Sequence, residues 1–113
     1  GAYHASCLYA KEAYVREHPQ TTQAVVDALV RALHFIADAT PGEIANAVSP
    51  ALHGGDRAGY EAALAKNLAT MSPDGRFDAD GAASVLAALR GFEAFMRDAD
   101  VDPARAMTNA FVE

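Results

Sequence analysis

The sequence lacks several features that would define a compartment or a partner. It has one cysteine, Cys7, so no disulfide can form within the chain. No apolar run approaches the ~20 residues that a membrane-spanning helix needs. Residues 1–10 contain neither a basic segment nor a long apolar stretch, so no signal peptide is predicted there. A single cysteine suits a cytosolic protein and many periplasmic ones, so these features alone leave the compartment open.

Basic residues are also few, and they are scattered along the chain. Nine Lys and Arg residues stand against fifteen Asp and Glu residues, for a net charge of −6. Because phosphate contacts need clustered basic side chains, this balance argues against a nucleic-acid partner. With 113 residues, of which 51% are hydrophobic and 21% charged, the chain is predicted to be globular. We expect residues 1–113 to form a single helical unit.

From residue 11 onward the apolar residues recur at helical spacing. Two helix starts are marked by a proline, at Thr40-Pro41 and Asp102-Pro103, and Glu43 completes a capping box with Thr40. Asp56 is a third predicted N-cap. Pro19 is expected to end the first helix, because it disfavours helical geometry in the residue before it. The predicted helices cover residues 11–18, 20–38, 41–48, 57–69, 80–97 and 103–111.

The N-terminal stretch AYHASCLYA, residues 2–10, has a different pattern. It is rich in aromatic and small residues and shows no 3.6-residue period, which predicts a short strand. A lone strand is not stable. Either residues 2–10 are not a strand, or the rest of the sheet lies outside these 113 residues. The predicted fold class is mainly α, with about six helices preceded by one short N-terminal strand.

The acidic run DGRFDADG raises the question of a calcium loop. Such a loop needs oxygen ligands at positions 1, 3 and 5, a glycine at 6 and a glutamate at 12. With Gly81 at position 6, Arg76 falls at position 1 and a methyl side chain at position 12. A second acidic run, DADVDPA, places a proline at position 6. We therefore interpret residues 73–75 as a turn, followed by a helix that Asp78 or Asp80 caps.

The histidines and the cysteine do not form a metal-binding or catalytic pattern in the sequence. No pair of histidines has the four-residue helical spacing of a metal site. His34, between apolar neighbours, is interpreted as a partly buried structural residue. His53, on the Gly-rich segment HGGD, is the most site-like histidine, although a structural role is favoured for it too. Cys7 lies in an apolar stretch, which favours buried packing. No catalytic residue, metal ligand or cofactor is predicted.

Several short segments follow one another in a recognisable order. They are a small-residue segment at Ser6–Tyr9, an HP-x-T stop and restart at His18–Thr21, a long apolar helix at 20–38, an SPDG turn at Ser72–Gly75 and a closing T-N-x-F-V at Thr108–Val112. In this order they resemble the C-terminal part of a bacterial ABC-importer substrate-binding protein. The subgroup is the nitrate/sulfonate/taurine type, which includes relatives that make or carry thiamine pyrimidine precursors. The resemblance covers nearly the whole chain.

The resemblance implies a fold and a function for the longer protein. Its members have two α/β lobes, and residues 2–10 would be the strand that returns to the first lobe, with the helices covering that lobe. This chain would be roughly the last third, and the SPDG segment would join two helices. The expected function is non-catalytic capture of a small solute and its delivery to the importer's membrane subunits. The expected location is periplasmic, or lipid-anchored and extracytoplasmic in Gram-positive bacteria.

The resemblance also points to candidate ligand-binding residues. The solute lies between the lobes and is held mostly by parts that these 113 residues do not include. Tyr3, His4 and Ser6 are the nearest candidates, because they begin the segment that returns beside the cleft. Two alternatives remain open, namely an enzyme similar to the pyrimidine-synthesis relatives and a free-standing helical interaction domain. The isolated chain is expected to self-associate through apolar residues, chiefly Val25, Leu29, Leu33, Val85, Leu89 and Phe92.

Overall fold

The structure, a computed structural model, describes residues 3–112. Within them are six α-helices: α1 (Glu12–Glu17), α2 (Pro19–Asp38), α3 (Pro41–Ala47), α4 (Arg57–Asn67), α5 (Ala79–Phe92) and α6 (Pro103–Ala106). Three short 3-10 turns, Pro50–His53, Leu68–Thr70 and Ala94–Met96, follow α3, α4 and α5. The prediction of a mainly α fold with about six helices is confirmed. None of the helices in these residues combines the length and apolar character needed to cross a bilayer.

The predicted N-terminal strand is not present in the described residues. Residues 3–10 have no regular secondary structure, and residue 2 lies outside the described range. The amide of Ala5 donates to the carbonyl of Tyr3 at 3.0 Å, which is a local turn rather than a ladder bond. The physical reason is that a strand needs a neighbour for its backbone groups, and no strand occurs anywhere in residues 3–112.

The predicted helix starts are present, with the expected side-chain caps. Thr40 and Glu43 form a reciprocal capping box at the start of α3. Asp56 accepts from the amide of Gly59 at 2.9 Å, and Asp102 accepts from the amide of Ala104 at 3.0 Å. Each cap satisfies an amide that the first helical turn leaves without a backbone partner. Local sequence therefore determines where these helices begin.

Two helices end five residues earlier than the sequence predicts. Helix α5 stops at Phe92, because Glu93 is extended at φ −102° and ψ 112°, instead of continuing to residue 97. Helix α6 has only four residues and ends at Met107, which is extended at φ −126° and ψ 152°. The residues after Met107 leave the helix and contact the segment before α5 instead, as described below.

The chain divides into two compact units, whose boundaries fall within α2 and at the start of the segment before α5. Unit 2 comprises Val26–Gly75, and in it α3 packs on α4. Its buried apolar residues are Val30, Ile44 and Ala45. The predicted turn is confirmed: Gly75 adopts a φ of +76°, and a Cβ there would lie 3.2 Å from Leu33 Cδ1.

Unit 1 comprises Gly1–Val25 and Arg76–Glu113. In its described residues α5 packs on α6 and on the 3-10 turn at Ala94–Met96, and Gly81 and Ala82 are buried. Large apolar side chains at the end of α5 remain exposed, with Phe92 85% and Phe95 75% accessible. The prediction of one helical unit over 1–113 stays a prediction, since each unit is described by itself.

Candidate functional site

His4, one of the three predicted ligand-binding residues, lies against the N-terminus of α5. Its Nε2 is 3.2 Å from the backbone nitrogen of Asp78, 3.3 Å from the Asp78 carbonyl oxygen and 3.6 Å from Asp78 Oδ2. The imidazole also makes an edge-to-face contact with Phe77, with ring centroids 5.2 Å apart. The side chain is 21% exposed. Nε2 of His4 is thus already in contact with Asp78.

The ring of His4 occupies space that a side chain at Gly81 would fill. A Cβ built on Gly81 would overlap His4 Nε2 and would lie 2.8 Å from both Cδ2 and Cε1. Gly81 is the third residue of α5, and its amide donates to the capping Asp78 Oδ1 at 2.6 Å. The absence of a side chain at Gly81 lets the imidazole pack directly on the helix backbone.

Tyr3 and Ser6, the other two predicted ligand-binding residues, are exposed on either side of His4. Tyr3 is 53% accessible, and Ser6 is also exposed. Cys7 follows and is a free, exposed thiol, so the prediction that it packs in the interior is wrong. Apolar neighbours in the sequence do not bury Cys7, because the segment that contains it has no regular structure. The structure presents Tyr3 and Ser6 to solvent and turns His4 inward.

Asn109 is a residue that the sequence reasoning missed as an individual contact. Its side-chain Oδ1 accepts from the amide of Phe77 at 2.9 Å, and its Nδ2 donates to the carbonyl of Phe77 at 2.9 Å. Both Asn109 and Phe77 are half-buried. Only its place within the closing T-N-x-F-V segment distinguished it in the sequence.

Two more side chains bind the carbonyls at the end of the same segment. Gln23 Nε2 donates to the carbonyl of Phe111 at 2.9 Å, and an Arg76 side-chain nitrogen donates to the carbonyl of Val112 at 2.9 Å. Together with Asn109, these bonds hold residues 109–112 against the N-terminal half of α2 and the segment before α5. The closing segment is therefore part of unit 1.

The remaining histidines have structural contacts or are exposed. In unit 2, His53 Nε2 lies 2.9 Å from the carbonyl oxygen of Ala45, and the ring packs at 4.9 Å against Tyr60. These contacts explain the presence of His53 on the Gly-rich segment and agree with the favoured structural role. His34 is exposed, so the interpretation of a partly buried residue is wrong. It projects from α2 into solvent.

An open depression within unit 2 has a volume of about 410 Å³. Its lining residues are His34, Phe35, Asp38, Ala39 and Glu43. The carboxylate of Glu43 is committed to the capping box, where it accepts from the Thr40 amide at 2.8 Å and the Thr40 hydroxyl at 2.7 Å. These bonds, the backbone one first, lower the pKa of Glu43 below its ordinary value of 4.5. Glu43 thus stabilises the start of helix α3.

The acidic run DGRFDADG is occupied by contacts within the chain. Asp78 caps α5, and Ser72 Oγ accepts a hydrogen bond from the amide of Gly75 at 2.8 Å. Arg76, where a calcium loop would need its first ligand, binds the carbonyl of Val112. Among residues 3–112 there is no group of three His, Cys, Asp or Glu side chains that could hold a metal ion.

The regular secondary structure of residues 3–112 is all helical. In unit 1 the N-terminal segment and the closing segment both form side-chain hydrogen bonds with residues 76–78, directly before α5. No protein-family model and no curated protein matches the chain. A solved structure of a protein from Bordetella bronchiseptica RB50 is similar to it, with 44% sequence identity and a TM-score of 0.84. The match covers 90% of this chain and 32% of the Bordetella chain, so this chain spans about a third of that protein's length.

Proposed function

We propose that this chain is the C-terminal part of a substrate-binding protein that captures a small solute for an ABC importer. The observation that carries the proposal is the ordered series of motifs from Ser6–Tyr9 to Thr108–Val112. On this proposal the intact protein binds its solute between two lobes, works outside the cytoplasm and delivers to the membrane subunits of the importer. It has no catalytic role.

The exposed apolar residues of this chain and the length of the similar Bordetella protein both agree with a role as part of a longer protein. Large apolar side chains remain exposed in both units, including Leu29 on α2 and Phe92 and Phe95 near the end of α5. Large apolar side chains that are exposed in this chain are suited to contact with another part of a longer protein. The similar Bordetella protein has about twice this chain's length of additional polypeptide, which is enough to supply such a cover.

The motifs that suggest the proposal also have structural roles consistent with it. The SPDG segment joins the 3-10 turn after α4 to the cap of α5, with Gly75 in the left-handed conformation. The closing T-N-x-F-V segment is held by Asn109 through both backbone groups of Phe77. The SPDG segment thus joins two helices, which is the role that the resemblance implies for it.

A chimera tests the proposal. This chain would replace the matching third of the Bordetella protein, and calorimetry would measure binding of nitrate, an alkanesulfonate and a pyrimidine, with the unaltered Bordetella protein as the control. We expect at least one of these solutes to bind the chimera, and none to bind the 113-residue chain alone, because a cleft needs two walls. A folded chimera and a folded control that bind none of the three would contradict the proposal. So would micromolar binding by the isolated chain.

A further inference from the structure

We infer that His4 is a positioning residue whose imidazole ring packs on the backbone of Gly81, where no side chain is present; this packing position is called the seat of His4. By holding the N-terminal segment there, His4 places Tyr3 and Ser6 where they contact a solute. The inference rests on the proposed function for the role of Tyr3 and Ser6. The contact between His4 and Gly81 stands on geometry alone. It is a defined feature in a segment that has no secondary structure of its own.

Nε2 of His4 already has polar partners within the protein. It lies within 3.6 Å of the nitrogen, the carbonyl oxygen and a carboxylate oxygen of Asp78. An unprotonated Nε2 accepts from the Asp78 amide, and a protonated Nε2 donates to the Asp78 carbonyl oxygen. The ring nitrogen therefore has a partner in either state, and a solute would have to break this contact to use it.

The packing of the His4 ring requires glycine at position 81. The imidazole lies where the Cβ of any other residue at position 81 would project. It is further confined by the edge-to-face contact with Phe77. The backbone of Phe77 is itself fixed by two hydrogen bonds with the Asn109 side chain, one donated and one accepted by Phe77, so the residue that packs against His4 is held in place.

Tyr3 and Ser6, the neighbours of His4, depend on it for their position. Residues 3–10 have no strand or helix to fix them, and within the hydrogen bonds described above His4 supplies their link to α5. Tyr3 and Ser6 flank this link, are exposed, and carry hydroxyl groups that donate and accept. They suit a small polar or anionic solute, whereas His4 is half-buried and its Nε2 contacts Asp78.

Gly81 and Gly91 provide a matched pair of substitutions to test the seat. Both glycines lie in α5, so alanine at either position raises helix propensity. Gly81→Ala displaces the His4 ring, whereas a Cβ on Gly91 meets nothing within 4 Å. Cys7, the single and exposed cysteine, takes a nitroxide label that reports the mobility of the N-terminal segment.

Spectra of the labelled 113-residue chain decide the positioning role, and no solute is needed. We expect His4→Ala and Gly81→Ala each to increase label mobility at least twofold, and Gly91→Ala to leave it unchanged. The double variant His4→Ala/Gly81→Ala should be no more mobile than either single variant, because both remove the same contact. Equal mobility in the parent, His4→Ala and Gly81→Ala chains would overturn the inference.

Binding by the chimera described above decides the role of the flanking pair. With whichever of nitrate, the alkanesulfonate or the pyrimidine binds, we expect Tyr3→Phe and Ser6→Ala to weaken affinity about tenfold. Gly81→Ala should weaken it while His4 is intact, and Gly91→Ala should not. If His4→Ala weakens the affinity for the solute and Gly81→Ala does not, His4 contacts the solute and the inference is wrong. A chimera that binds nothing refutes the proposed function while the label experiment still decides the seat.

Discussion

The side chain of Asn109 pairs with the backbone of Phe77 in the way that a neighbouring strand would. One amide group satisfies both the N–H and the C=O of Phe77, each at 2.9 Å. Phe77 in turn contacts the ring of His4. The closing segment and the N-terminal segment thus meet at one residue of unit 1, 32 positions before Asn109 in the chain.

Replacing Asn109 should destabilise unit 1. Asn109→Ala leaves two half-buried backbone groups without these partners, and at about 0.5–1.5 kcal/mol for each hydrogen bond the loss is about 1–3 kcal/mol. Urea unfolding followed by circular dichroism measures it. Asn67→Ala is the control, because Asn67 makes an exposed bond to the Ala63 carbonyl within its own helix and should matter much less. Equal effects of the two substitutions would contradict a special role for Asn109.

The capping box of α3 should make part of the stability depend on pH. The folded state lowers the pKa of Glu43 below 4.5, so the contribution is full above that value and is lost as the pH falls through the lower folded pKa. Glu43→Gln should remove this part of the acid dependence. Unfolding measured between pH 7 and pH 3 tests it, with Glu93→Gln as an exposed control outside the box. Parallel pH profiles for the parent and Glu43→Gln would show that the prediction is wrong.

Asp78 should act as a helix cap and not as a calcium ligand. Asp78→Ala is expected to cost about 1 kcal/mol by removing the N-cap of α5. Asp80→Ala should cost less, because Asp80 contributes only a first-turn charge. Millimolar calcium should leave the melting temperature of the parent chain unchanged. A ligand at 100 times its dissociation constant adds ~2.7 kcal/mol. A rise of several degrees would therefore reveal a calcium site.

The isolated chain should self-associate through its exposed apolar residues. Removing ~800 Å² of apolar surface from water contributes ~20 kcal/mol at ~25 cal/mol per Å². This exceeds the estimated 4–15 kcal/mol cost of association. Leu8→Lys or Leu29→Lys should weaken the assembly, and Ala37→Lys, which adds the same charge at an exposed small residue of α2, should not. A compact monomer in sedimentation at micromolar concentration would contradict this expectation.

The sequence predicted the helix starts well because the signals for them are local. Thr40, Asp56, Asp78 and Asp102 each bind an amide two or three residues away, so composition and spacing are sufficient. Exposure along α2 was predictable in part. Val25 and Leu29 are exposed as expected, while Leu33 is half-buried.

The contacts at the candidate site could not be predicted because they join distant residues. His4 meets Asp78 across 74 positions, and neither residue carries a local signal for the other. The early end of α6 has the same origin, since the segment after Met107 is irregular and places Asn109 beside Phe77. The aromatic pattern of residues 2–10 favours a strand, but a strand also needs a partner, which lies outside any local window.

The bond between Gln23 and the carbonyl of Phe111 closes a loop of 88 residues. It has a consequence for the order in which the chain folds during synthesis. Unit 2 draws its contacts from the continuous stretch Val26–Gly75 and can form once that stretch leaves the ribosome. Unit 1 must wait until residues near the end of the chain have been made. Until then the Gln23 side chain cannot form its bond to the Phe111 carbonyl, and His4 cannot form its contact with Asp78.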